Sequence, residues 1–103
     1  MGSPEGFSSE GAPTFPMYYA DWCPHCKEVK PLFKKFMRSG SMEVNKKIVF
    51  IDMVEAEQNP DKAKGKPVKG YPTFLLEKPD GNYIEYSGSR DEAGWAQWLK
   101  ENI

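Results

Sequence analysis

Both cysteines of the 103-residue chain and its single histidine fall within five residues, Trp22-Cys23-Pro24-His25-Cys26. That cluster contains all the thiol chemistry in the protein and its one imidazole, the side chain whose ordinary pKa lies nearest neutrality. If the stretch opens a helix, Cys23 stands at the N-terminus, where unpaired backbone N–H groups and the positive end of the macrodipole favour a thiolate. Such surroundings make a sulfur reactive. Cys26, one turn on, faces inward and lies near enough to close a disulfide. Thiol–disulfide exchange needs this division of labour: an accessible low-pKa thiolate attacks, and a second thiol nearby releases the product. Pro24 fixes φ and donates no hydrogen bond, while a protonated His25 places positive charge near the Cys23 sulfur. These tuners predict a Cys23 pKa of about 4 to 6 and a reduction potential of about −120 to −200 mV. A structural zinc site wants four ligands, and no thiol or imidazole exists outside the cluster. No metal and no bound cofactor are therefore expected.

The rest of the chain reads as scaffold. A formal net charge of −1, with 39% hydrophobic and 28% charged residues, is ordinary for a globular domain and argues against a partner bound by phosphate neutralisation, so no nucleic acid is expected. No apolar run approaches the length of about 18 residues needed to span a bilayer, so no membrane partner is expected either. Residues 1–13 are dominated by Gly, Ser, Pro and Glu and read as a disordered linker or expression-derived scar, leaving 14–103 as one domain. Met17-Tyr18-Tyr19-Ala20 has the composition of a buried strand, with pairing expected from Met17 because Pro16 has no N–H. Val29, Leu32, Phe33, Phe36 and Met37 recur at helical spacing across Pro31, which is expected to kink that helix. Ile48 to Val54 reads as a second strand, Asn59-Pro60 as the capped start of a short helix through Lys64, and Thr73–Leu76 with Tyr83–Tyr86 as a hairpin turned by Pro79-Asp80-Gly81-Asn82. Ser89 to Asn102 reads as a final helix burying Trp95, Trp98 and Leu99. Strand, helix, strand, helix, hairpin, helix implies an α/β fold with a mixed sheet flanked by helices.

The strand ending in Tyr18-Tyr19-Ala20-Asp21, the Trp22-Cys23-Pro24-His25-Cys26-Lys27 run with Pro31 five residues on, and Gly70-Tyr71-Pro72-Thr73 together resemble the thioredoxin superfamily. Tyr86, Arg90 and Trp98-Leu99-Lys100 are similar to the end of a protein disulfide isomerase catalytic domain. The resemblance covers the chain from about Phe15 onward. It implies that Cys23 is the attacking thiolate and Cys26 the resolving thiol, that Trp22 and Tyr71 meet the substrate, and that Pro72 is a cis proline beside the sulfurs. It also implies that Arg90 swings toward Cys26 to ease its deprotonation.

Two departures accompany it. The family's buried acid, six residues before the first cysteine, is replaced by Met17, which leaves the proton of Cys26 to water, to Asp52 or Glu55 if either reaches inward, or to the influence of Arg90. The first strand-helix unit has no room before Thr14, so a minimal core is expected. Ile48–Met53 would then be an apolar sheet edge, giving a monomer that self-associates weakly or an N-terminal cover by Phe7 to Phe15.

The implied activity is disulfide exchange with protein thiols and disulfides, in the oxidase or isomerase direction. A glutaredoxin-like use of glutathione and a redox fold serving only as a binding module are the alternatives. Ser87-Gly88-Ser89-Arg90-Asp91 is a poor candidate for holding a glutathione carboxylate. The Pro-His pair favours an oxidising lumen or periplasm over the cytoplasm.

Overall fold

A computed structural model describes residues 12–103. The elements are β1 (Thr14–Tyr19), α1 (Pro24–Phe36), β2 (Ser41–Val44), β3 (Lys47–Glu55), α2 (Pro60–Ala63), β4 (Thr73–Glu77), β5 (Tyr83–Tyr86) and α3 (Glu92–Asn102). The strands form one mixed sheet in the order β2-β3-β1-β4-β5, with β1 parallel to β3 and the other pairs antiparallel. This is the thioredoxin fold. The expected linker lies mostly in residues 1–11, outside the described part. Its last residue, Pro13, is buried, and its carbonyl accepts the Phe50 N–H at 3.0 Å, so sheet pairing starts there.

Pro16 lies inside β1, where the sequence suggested it would mark the beginning. The ladder to β3 runs unbroken from Thr14↔Phe50 to Tyr19↔Glu55. The ladder to β4 pairs Thr14 with Glu77 and then resumes at Met17 with Phe74. The missing N–H is thus tolerated in the central strand by a gap on one side only.

α1 continues through Pro31 to Phe36, burying Cys26, Val29 and Phe33 along one side. With α3 it covers a face built from Phe15, Met17, Val49, Ile51, Phe74 and Leu76. Phe33 is central to this layer, with ring centroids 4.9 Å from Trp95 and 5.6 Å from Phe74. The opposite face buries Tyr18, Val54 and Leu75 against Ala56, with Ala63, Val68 and Tyr71 packed at its margin.

The edge expected at Ile48–Met53 is covered over its first half, because β2 pairs antiparallel with β3 from Ser41↔Phe50 through Val44↔Lys47, and the Gly40 carbonyl accepts the Ile51 N–H at 3.0 Å. The strand was hidden because its turn, Asn45-Lys46, takes positive φ at both residues (52° and 66°) without a glycine. Lys46 therefore serves the turn. The part of β3 expected to drive self-association is half covered by β2, and the alternative cover by Phe7 to Phe15 falls largely outside the described residues. At the short α2, Asn59 occupies the cap position, but its side chain donates to the Glu55 carbonyl at 3.0 Å and does not cap the helix. α3 begins at Glu92, three residues later than Ser89, because the Asp91 carboxylate accepts the Gly94 N–H at 2.7 Å and so caps it.

Phe33→Ala is expected to cost about 3–5 kcal/mol, as for other buried phenylalanines, read as a lower denaturation midpoint at unchanged m-value.

Candidate active site

Parallel pairing with β3 carries β1 up to Ala20, whose carbonyl accepts the Cys23 N–H at 3.1 Å and closes the turn into α1. Cys23 is the N-cap residue of that helix and Pro24 its first residue. Both thiols are buried, Cys23 with 4% of its surface exposed and Cys26 with none, and both are free.

The two sulfurs are driven in opposite directions. Burial pushes the Cys23 thiol up, but a hydrogen bond from Cys26, the backbone N–H groups of Cys26 and His25, and the charge of Arg90 outweigh it and hold its pKa below the ordinary thiol value. Burial pushes Cys26 up to about 11, helped by the Cys23 sulfur and opposed by a backbone hydrogen bond at Ala20 and by Arg90. His25 is exposed, and it is its backbone N–H that reaches the Cys23 sulfur.

The Tyr71–Pro72 bond is cis. It places the Tyr71 carbonyl 3.6 Å from the Cys23 Sγ. The Tyr71 ring meets that of Trp22 edge to face at 6.0 Å. Trp22 is 60% exposed beside the thiols. Arg90 is exposed on the loop between β5 and α3. That loop is locked by the hydrogen bond from the Tyr86 hydroxyl to the Ser89 carbonyl and by close packing of Gly94 on both residues.

The loop after β3 contributes residues that sequence spacing did not single out as partners. The Trp22 Nε1 donates to the Glu57 carboxylate at 2.9 Å, and the Gln58 side chain donates to Asp21 at 3.1 Å. Glu55, 8% exposed, accepts the Asp21 N–H on one oxygen at 2.7 Å and the Glu57 and Gln58 N–H groups on the other at 2.7 and 3.0 Å. The Asp21 amide, then those of Gln58 and Glu57, with Lys30 nearby, hold this carboxyl below its usual range against the opposing effect of burial.

Glu55 is therefore a clip between two loops, with both oxygens occupied, and does not stand free as a proton acceptor for Cys26. Asp52 does not reach inward either. It is exposed opposite Pro16, on the sheet face away from α1. Met17, at the family's acid position, is fully buried in the apolar layer. Among the described residues, no group of three or more His, Cys, Asp or Glu is arranged to hold a metal ion, and no helix is long and apolar enough to cross a membrane.

This arrangement is that of a thioredoxin-fold domain, and the comparisons agree. The thioredoxin family profile matches residues 8–101, so the chain belongs to that family. It is 31% identical over 86 residues to the probable protein disulfide-isomerase A4 of Caenorhabditis elegans, covering 84% of this chain and 13% of that protein. To the protein disulfide-isomerase of Medicago sativa it is 34% identical over 87 residues, covering 82% and 17%. The first thioredoxin domain of mouse protein disulfide-isomerase A4 superposes with a TM-score of 0.75 at 25% identity, over 94% of this chain and 67% of that one. The Trx4 domain of ERdj5, at 22% identity and a TM-score of 0.66, shares the fold over 97% of this chain and 90% of its own. The chain spans only 13–17% of the length of the two curated relatives.

Because the folded Glu55 pKa is depressed, its stabilisation is fully present above the ordinary value of 4.5 and is lost as pH falls through the folded value. Wild type is expected to be more stable than Glu55→Gln at neutral pH, with the gap closing below pH 4.5, as read from denaturation midpoints across that range.

Proposed function

We propose that this domain is a thiol–disulfide oxidoreductase acting on protein substrates through the Cys23–Cys26 couple, without a bound cofactor. The observation that carries the reading is the split between the sulfurs, one held as a nucleophile at a helix start and the other buried behind it with a pKa raised to about 11. The membership in the thioredoxin family and the similarity to protein disulfide isomerases support it.

In the reducing direction the Cys23 thiolate attacks one sulfur of a substrate disulfide, forms a mixed disulfide and expels the first substrate thiolate, which takes up a proton. Cys26 loses its proton to water, since Met17 stands where the family keeps its acid and both Glu55 oxygens are taken up by backbone N–H groups, and attacks the Cys23 sulfur. This releases the second substrate thiol, leaves Cys23 and Cys26 as a disulfide, and transfers two electrons to the substrate. Oxidation of a substrate dithiol is the reverse. Pro24, the His25 backbone N–H and Arg90 favour the thiolate, which makes the disulfide the stronger oxidant and suits an oxidising compartment. Trp22, Tyr71 and Pro72 form the surface on which the substrate segment lies.

Insulin reduction and refolding of scrambled ribonuclease test the reading. Turnover by wild type and none by Cys23→Ser is expected, and no rate above that variant would overturn it. Cys26→Ser is expected to accumulate the mixed disulfide. In wild type, resolution is expected to quicken as pH rises above neutrality, as the Cys26 thiolate fraction grows. A pH-independent resolution step would show another group taking the proton. In glutathione buffer a potential of about −120 to −200 mV is expected.

A further inference from the structure

A groove of about 410 Å³ opens beside Pro72, lined by Lys69, Gly70, Tyr71, Thr73, Glu85 and Arg90 among others. Lys69 and Arg90 are both exposed, and neither makes an ion pair among the described residues. Glu85 on β5 contributes one carboxylate against these two cations, so the walls carry net positive charge. Across the thiols the sign reverses, because Asp21, Glu55 and Glu57 gather around the start of α1. The site is therefore polarised, basic beyond the cis proline and acidic beside Trp22. Tyr71 lines this groove, and its carbonyl lies 3.6 Å from the Cys23 Sγ.

We propose that this groove is a charge-reading subsite that seats an aspartate or glutamate side chain of the substrate polypeptide, within two residues of its reacting cysteine, between Lys69 and Arg90. The inference rests on the proposed activity toward protein disulfides and adds a preference to it. An extended segment advances about 3.3 Å per residue, and Tyr71 both meets the Cys23 sulfur and lines the groove, so the subsite falls to a side chain one or two positions from a cysteine at Cys23. The Arg90 charge also acts on both sulfurs. A carboxylate seated on it withdraws part of that influence, so the preference is expected in KM and not in kcat.

The test uses the reduced protein and disulfide peptides that differ only in Glu, Gln or Lys at each of the two positions on either side of the cysteine. At one or more positions kcat/KM for the Glu peptide is expected to exceed that for Gln by about two- to fivefold, the yield of an exposed ion pair, with Lys below Gln. The differences are expected to close at high salt, Lys69→Arg to keep the order and Lys69→Glu to reverse it. Equal rates for the three peptides, or an order unchanged in Lys69→Glu, would overturn the proposal.

If no peptide is turned over, the activity itself fails. The subsite is then judged by NMR titration with the same peptides carrying serine for cysteine. Tighter binding of Glu than Gln, with shifts at the Lys69 and Arg90 amides, sustains it, and equal binding overturns it.

Discussion

Burying two sulfurs one helical turn apart places opposite demands on them, and most of the structure around the site serves to keep those demands apart. A thiolate in an apolar setting is costly. Cys23 avoids that cost because α1 begins at it, so the backbone N–H groups of His25 and Cys26 point at its sulfur. Cys26 receives a backbone hydrogen bond at Ala20 and the Arg90 charge, but burial outweighs them and it stays protonated against the sheet. The asymmetry comes from position along the helix, since the two side chains are chemically identical.

That helix start must be held in place, and the tether is electrostatic as well as covalent. β1 delivers the turn, and Glu55 at the end of the neighbouring parallel strand fastens it through the Asp21 N–H while ordering its own loop through Glu57 and Gln58. Glu57 then orients the Trp22 indole. On the far side, the segment carrying Tyr71 is anchored by a partly buried cluster in which Lys66 donates to Glu77 at 2.8 Å and to the Tyr18 hydroxyl at 2.9 Å, and Tyr18 donates to Glu77. Burial, then the neighbouring carboxylate, keep that phenol protonated above its ordinary range. Two neighbouring loops are thus tied down independently, which fixes the surroundings of the Cys23 sulfur from both sides.

Local signals made much of this readable in advance. The apolar spacing of Val29 and Phe33, the Asp80-Gly81 turn and the composition of Phe50 to Val54 located the corresponding elements because each reflects a local constraint on backbone or burial. Where reading by residue failed, a non-local partner decided. β2 is a four-residue strand that gains its pairing from β3 and turns through Asn45-Lys46 with no glycine to announce it. Pro16 entered a central strand because β3 supplies a continuous ladder on the side that does not need its N–H. The direction in which Asp52 and Glu55 point depends on strand register, and an offset of three along a strand puts them on opposite faces.

From the sequence alone, the pairing of two thiols, the helix start beneath them and the alternating order of elements were determined, because thiols three residues apart and apolar periodicity act through chain neighbours. The tertiary structure decided the difference between the sulfurs, the commitment of both Glu55 oxygens to backbone amides, and the gathering of Lys69 and Arg90 beside Pro72. Each of these joins residues distant along the chain, and their energies depend on burial and through-space charge, which are fixed only once the sheet has brought the segments together.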